Sequence, residues 1–162
     1  GRYYEAAVEY GGDVIIRITS DCPVIDPDVV GYLIDFYMKN LKKYDYVTNT
    51  LKRTYPRGMD AEIVSFKALK EAHFNAYDPL DREHVTPFIR NRPTQYRLHN
   101  IKYSSDLSRY RLTVDTSEDM ELIRRIFESL YVENPEFTMK DILSKMAANP
   151  DWIKINSHVK QR

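Results

Sequence analysis

Two aspartates stand at the ends of apolar, β-prone runs. Asp21 closes Val14-Ile15-Ile16-Arg17-Ile18-Thr19-Ser20, and Asp115 closes Tyr110-Arg111-Leu112-Thr113-Val114. Open α/β sheets bind ligands in the crevice beyond the carboxyl ends of their strands. Two carboxylates delivered there by different strands are the hard oxygen ligands that Mg²⁺ favours, often together with substrate phosphates. The same residues also suit turns, because Asp-Cys-Pro and Asp-Thr-Ser are good turn sequences. On spacing alone both readings stand.

Two further charged segments exceed what a core requires. In Arg57-Gly58-Met59-Asp60-Ala61-Glu62, two acids flank an Arg-Gly turn. Asp60 and Glu62 suit sugar hydroxyls, and Arg57 suits bidentate pairing with a carboxylate or phosphate; a solvated hairpin entry would show the same residues. In Asp81-Arg82-Glu83-His84-Val85-Thr86-Pro87, a run of titratable groups opens a helix, near the positive end of its dipole. Asp81 is explained as a cap. Arg82, Glu83 and His84 are left over, with His84 either a general base or an ordinary hydrogen-bonded histidine. Glu118 and Asp119, close to Asp115, suit the first turn of a helix.

Other chemistries find no motif. The 162 residues hold neither G-x-G-x-x-G nor G-x-x-x-x-G-K-[ST], no G-x-S-x-G elbow and no Cys/His cluster with zinc spacing. If this chain handles a nucleotide, the phosphate cradle lies outside these residues. Cys22, set between Asp21 and Pro23, reads as a small packing residue and not as a nucleophile.

The elements that must position these groups alternate. Tyr3, Tyr4, Ala7 and Val8 predict a first helix, stopped by Tyr10-Gly11-Gly12. Asp13 to Ser20 follows as a strand, continuous enough in hydrophobicity to be covered on both faces. Asp26-Pro27 caps a helix carrying Val29, Val30, Leu33, Ile34 and Tyr37. Tyr44 to Thr50 and Ala61 to Phe66 read as strands, and Ser65 opens a helix. A helix over Asp81 to Asn91 and strands over Tyr96 to Tyr103 and Tyr110 to Val114 come next. Thr116 caps a helix through Leu130, and Thr138 opens one through Ala147. Such alternation is α/β, within a single domain over residues 1–162.

Hydrophobic residues make up 43% and charged residues 30% of the sequence, which is ordinary for a soluble globular chain. Lys plus Arg and Asp plus Glu each number 24, so the basic excess of a phosphate-gripping nucleic-acid binder is missing. No stretch approaches the roughly 20 apolar residues that span a bilayer, and the start of the chain has no signal-peptide core. Neither nucleic acid nor membrane is expected as a partner. The single cysteine cannot form an internal disulfide and fits a reducing cytoplasm.

Four segments, taken in order, carry a family resemblance: Ile16 to Pro27 (IRITSDCPVIDP), Tyr55 to Glu62 (YPRGMDAE), Arg82 to Ile89 (REHVTPFI) and Arg111 to Asp119 (RLTVDTSED). Together they resemble the cytidylyltransferases of the spore-coat polysaccharide biosynthesis protein F type, relatives of the acylneuraminate and 3-deoxy-manno-octulosonate cytidylyltransferases. The resemblance spans nearly the whole chain. It implies a three-layer nucleotide-diphospho-sugar transferase-like fold, a Rossmann-like mixed sheet flanked by helices. It implies transfer of CMP from CTP onto a sugar, usually an acidic one. It makes Asp21 and Asp115 the catalytic Mg²⁺ ligands and puts Arg57, Asp60, Glu62, Arg82, Glu83 and His84 on the substrate side. Some sialic-acid relatives carry a further acid two residues beyond the second ligand, where this chain has Ser117.

Family members begin with a strand and a Gly/Arg/Lys-rich phosphate loop that has no counterpart here. The resemblance therefore implies the carboxyl-side part of a cytidylyltransferase domain, missing its first strands and expected to be inactive alone. It also implies a homodimer, for which Tyr-rich stretches such as Tyr96 to Tyr110 are candidates. Two rival readings stand beside it: a metal-dependent glycosyltransferase of related fold, and a catalytically inert piece that keeps only a dimerisation role.

Overall fold

Pairing of four short strands organises the first part of the molecule. The computed structural model describes residues 1–160, without the side chains of Leu80, Glu83 and His84. The elements run α1 (Arg2–Glu9), β1 (Val14–Arg17), α2 (Pro27–Lys39), β2 (Tyr46–Thr48), β3 (Glu62–Ser65), α3 (Phe66–Asn75), α4 (Pro79–His84), α5 (Pro87–Arg90), β4 (Leu98–Asn100), α6 (Ser117–Leu130), α7 (Met139–Ala148) and α8 (Trp152–Asn156). They fall into two compact units, one of Gly1–Arg17, Tyr32–Lys52 and Ala61–Ile101, the other of Ile18–Gly31, Arg53–Asp60 and Lys102–Arg162.

The first unit holds a mixed sheet in the order β1-β3-β2-β4, with β3 antiparallel to both neighbours and β2 parallel to β4. Register sorts its side chains. Ile15, Val64, Tyr46 and Leu98 are aligned across the four strands, and they pack with Ala68, Leu69 and Ala72 of α3 and with Phe88 and Ile89 of α5. Two residues further along, on the same face by the period-2 rule, lie Arg17, Glu62, Thr48 and Asn100. The intervening row is Ile16, Ile63, Val47 and His99, and Phe36 of α2 stacks on His99 at 4.5 Å between centroids. Ser65 ends β3 and caps α3, its Oγ accepting from the Ala68 amide at 3.2 Å.

The second unit is built on helices α6 to α8 and on loops tied to them. Thr116 with Asp119 and Thr138 with Asp141 form reciprocal capping boxes at α6 and α7, which satisfy amide donors that a helix start would otherwise leave bare. Asp26 caps the Asp28 amide at 2.7 Å and accepts the Met139 amide of α7 at 2.7 Å with its other oxygen. Leu112, Leu122, Ile126 and Ile142 are fully buried there, each burial being worth about 1.5–3 kcal/mol.

Several sequence expectations change. Tyr110 to Val114 is not a strand but an extended segment with one isolated bridge, Arg57 to Arg111. Its bonds go to two irregular stretches: the Arg57 amide donates to the Tyr110 carbonyl, the Leu112 amide to the Arg57 carbonyl and the Val114 amide to the Asp21 carbonyl. Gly58, at φ +93°, turns the partner away directly after Arg57, so no ladder propagates. The strand expected over Asp13 to Ser20 stops at Arg17, and Ile16 and Ile18 are 39% and 40% exposed, so it is not covered throughout. The helix expected over Asp81 to Asn91 is two helices, because Val85 adopts φ +66° between them. The short helix α8 carried no sequence signal strong enough to predict it. Tyr96 and Tyr110 are 6% and 9% exposed, so their rings serve the chain's own packing. No helix among the described residues is long and apolar enough to cross a membrane.

Candidate active site

Asp21 follows β1 in a turn rather than at the end of a ladder, and Thr113 fixes it. The Thr113 hydroxyl lies 3.0 Å from the Asp21 carbonyl oxygen and 3.1 Å from its Oδ2, while the Val114 amide donates to the same carbonyl at 2.8 Å. Burial acts to raise the Asp21 carboxyl, but hydrogen bonds from the Thr19 and Thr113 hydroxyls outweigh it and hold it below its ordinary value. Asp115 comes immediately after Val114. One short extended segment thus brings the two sequence-predicted aspartates together across a separation of 94 residues.

Asp115 has its own support. The Arg111 Nη2 donates to Asp115 Oδ2 at 2.6 Å, and the Asp115 side chain remains 38% exposed. The same guanidinium forks onto Asp119, with Nε to Oδ1 and Nη2 to Oδ2 both at 2.8 Å. Asp119 is fully buried and also accepts the Asp115 and Thr116 amides and the Asn156 side-chain amide. Burial again acts upward on its carboxyl, but Arg111, the Asp115 amide and Asn156 prevail and bring it down to about 2. Read from sequence, Asp119 was a helix first-turn acid; it is that and a buried counter-charge besides. Arg111, Thr113 and Asn156 were not singled out by sequence reasoning. Arg111 and Asp119 stand eight residues apart, a spacing that implies contact only once the backbone between them turns.

The Arg-Gly segment lies in the same unit. Asp60 is paired with Arg53, Nη1 to Oδ1 at 2.5 Å and Nη2 to Oδ2 at 2.7 Å, so its oxygens are already occupied by a residue the sequence reading passed over. Among the described residues no carboxylate stands within ion-pair distance of Arg57. Burial, followed by the charges of Arg53 and Arg111, pulls the Arg57 guanidinium below its ordinary value. This is an environment that gains from an incoming anion. Gly58 is required: a Cβ there would lie 2.5 Å from the Leu112 carbonyl carbon and oxygen. Beside Asp21 opens a cleft of about 620 Å³, floored by Val114, Met120, Ile123 and Phe127 and edged by Arg124, within the size range of small-molecule sites.

The remaining predicted residues are in the first unit. Glu62 is 5% exposed and accepts from Arg17, from the Tyr46 hydroxyl and, at 3.0 Å, from Thr86. Arg82 is exposed and donates to the Ala76 carbonyl at 3.1 Å. Glu83 and His84 have their side chains outside the described residues. Among the described residues no cluster of three or more His, Cys, Asp or Glu side chains suits a metal. The carboxylates that the Thr113–Val114 segment brings near one another are those of Asp21 and Asp115. An all-oxygen pair that leaves most coordination positions to water and substrate fits Mg²⁺ well and zinc poorly.

Residues 1–143 match the family model described as Cytidylyltransferase. The chain belongs to the cytidylyltransferase family. It is 32% identical over 163 residues to an uncharacterized protein of Methanocaldococcus jannaschii, covering 99% of this chain and 64% of that protein. It is 31% identical over 141 residues to the spore coat polysaccharide biosynthesis protein SpsF of Bacillus subtilis, covering 85% and 56%. A solved structure of a cytidylyltransferase from Leptospira borgpetersenii serovar Hardjo-bovis matches with a TM-score of 0.90 at 30% identity, covering 99% of this chain and 66% of that one. The cytidylyltransferase chain described here thus spans less than two-thirds of the length of these relatives. Its four-stranded mixed sheet flanked by helices agrees with the α/β class that the resemblance implied.

Proposed function

We propose that the protein transfers CMP from CTP to a sugar, and that Asp21 and Asp115 are the residues that hold Mg²⁺ for this reaction. The observation that carries the reading is the Thr113–Val114 segment, which sets an ionised Asp21 beside an exposed, arginine-supported Asp115 within a cytidylyltransferase chain. In the reaction a sugar hydroxyl oxygen bonds to the α-phosphorus of CTP, the bond to the β-phosphate bridging oxygen breaks, and pyrophosphate leaves with that electron pair. The metal, when bound, supplies charge neutralisation at the phosphates and acidifies the attacking hydroxyl.

The chain's own residues do the positioning. Thr113 fixes the rotamer and the charge of Asp21. Arg111 fixes Asp115. Arg57, with no carboxylate partner among the described residues, takes an anionic group of the substrate, a phosphate or the carboxylate of an acidic sugar. Asp60 has its oxygens committed to Arg53 and shapes the segment around Arg57 instead of gripping hydroxyls; those of Glu62 are committed to Arg17, Tyr46 and Thr86.

The test is pyrophosphate release from CTP with Mg²⁺ and a panel of neutral and acidic sugars, using protein expressed from its complete reading frame. Asp115→Asn is expected to lower turnover by about 1,000-fold, the upper end of what removing one preorganised electrostatic group costs, without lowering the melting temperature. Turnover equal to that of the wild type would overturn the assignment.

A further inference from the structure

Arg111 poses an electrostatic problem. A guanidinium 2.6 Å from a metal ligand opposes a cation at the same carboxylate, since it offers a competing positive charge. Yet Arg111 is 7% exposed and cannot turn away. The structure compensates it from the other side. Asp119, with no exposed surface, takes two of the guanidinium donors in a parallel fork, the strongest geometry such a pair has. Asp119 oxygens also receive the Asn156 side chain at 2.8 Å and the Asp115 amide at 3.0 Å. Asn156 is itself anchored, its Nδ2 lying 3.0 Å from the Arg111 carbonyl.

We propose that Arg111 is a positioning residue for Asp115, and that Asp119 is the counter-charge that lets it position without neutralising. The inference rests on the reading that Asp115 takes a metal ion. The three groups sum to one negative charge, and the burial gradient puts that charge outward: Asp119 has no exposure, whereas the Asp115 side chain has 38%. Arg111 spends its charge on Asp119 and gives Asp115 a directed hydrogen bond at Oδ2. The carboxylate plane is thereby set while the net charge remains for the cation. Asn156 of α8 closes the set, so the last described helix is tied to the geometry of the site.

A purely structural role for Arg111, stitching the extended segment to α6, predicts a different outcome, and cation binding separates the two. Mn²⁺ is the probe, an oxygen-seeking octahedral ion like Mg²⁺ whose free concentration is read by electron paramagnetic resonance without any turnover. Titrations compare the wild type with Asp115→Asn, Arg111→Lys and Asp119→Asn, each checked for folding by circular dichroism. Arg111→Lys keeps the charge and loses the fork; Asp119→Asn keeps the shape and turns the uncompensated guanidinium onto Asp115. Both are expected to weaken Mn²⁺ binding by about 10- to 100-fold, the usual cost of removing a group that orients a metal ligand. Wild-type affinity in folded Arg111→Lys overturns the proposal while leaving the metal reading intact, and this variant decides alone if Asp119→Asn does not fold. A wild type that binds Mn²⁺ no better than Asp115→Asn overturns the metal reading, and the proposal with it.

Discussion

Each unit of the molecule contains a buried carboxylate tied to an arginine, and the two arrangements end differently. In the first unit Arg17, Tyr46 and Thr86 all converge on Glu62, which sits in the polar row beside the core. All three share this one carboxylate, which is 5% exposed. In the second unit Arg111 stands between two carboxylates, one fully buried and one more than a third exposed. The first arrangement spends its charge internally; the second transmits orientation to a group that faces solvent. Burial and ion pairing mark both, so neither property distinguishes a site. What sets the proposed site apart is a charge left over at the surface end of a fixed network.

The largest effect expected from this contrast is on stability, in the closed arrangement. Removing one member of a buried ion pair costs about 3–5 kcal/mol, because the partner is left charged and unpaired. Glu62→Gln should therefore destabilise the protein by about that amount in urea unfolding and leave the Mn²⁺ affinity of the molecules that remain folded unchanged. A stable Glu62→Gln that had lost cation binding would break the comparison, since Glu62 would then belong to the site and not to the framework.

A smaller effect is expected at the contact that shapes the open arrangement. Gly58 holds φ +93° with Leu112 and Thr113 backbone atoms at 2.5–2.8 Å from where a Cβ would sit. Gly58→Ala has to strain the turn or displace the segment between Arg111 and Asp115. The strained backbone alone costs about 1–3 kcal/mol. Its melting temperature should fall and its Mn²⁺ affinity should fall with it, in contrast to Glu62→Gln. Loss of stability with full cation affinity would show that the extended segment keeps its geometry independently of the Arg-Gly turn.

Much of this is legible in the amino-acid sequence alone. Ser65, Thr116 and Thr138 announced their helices because capping is local chemistry, written within three residues of where it acts. The two aspartates were legible as a pair because each ends an apolar run. The sites that resisted reading depend on tertiary contact. Tyr110 to Val114 has strand propensity, yet its partners are loop segments that contribute one carbonyl or amide at a time, so propensity met no ladder. Asp119 satisfied a local role so well that nothing pointed to its second one. Arg53 and Arg111 pair with Asp60 and Asp119 only because turns fold back on them. Glu62 reads beside Asp60 as suited to sugar hydroxyls, but the alternation of a strand sends it into the sheet's polar row.

The smallest predicted effect concerns Thr113, the residue that joins Asp21 to the Asp115 segment. Thr113→Val keeps the shape and removes a hydroxyl that contacts both the carbonyl and the carboxylate of Asp21. Net loss of such a bond is about 1 kcal/mol. Its pH dependence is more telling than its size. The Asp21 carboxyl is held below its ordinary 3.8 in the folded protein, so its contribution to stability is present above that value and disappears as pH falls through the folded one. Without the hydroxyl the folded value rises, and the acid limb of the stability curve moves to higher pH. Glu62→Gln removes a carboxylate that never faces solvent and should leave the Asp21 titration, followed by carbon-13 chemical shift, where it is. If Thr113→Val also left that titration unmoved, Asp21 would be an independent turn residue, and the open arrangement would reduce to Arg111, Asp119 and Asp115 alone.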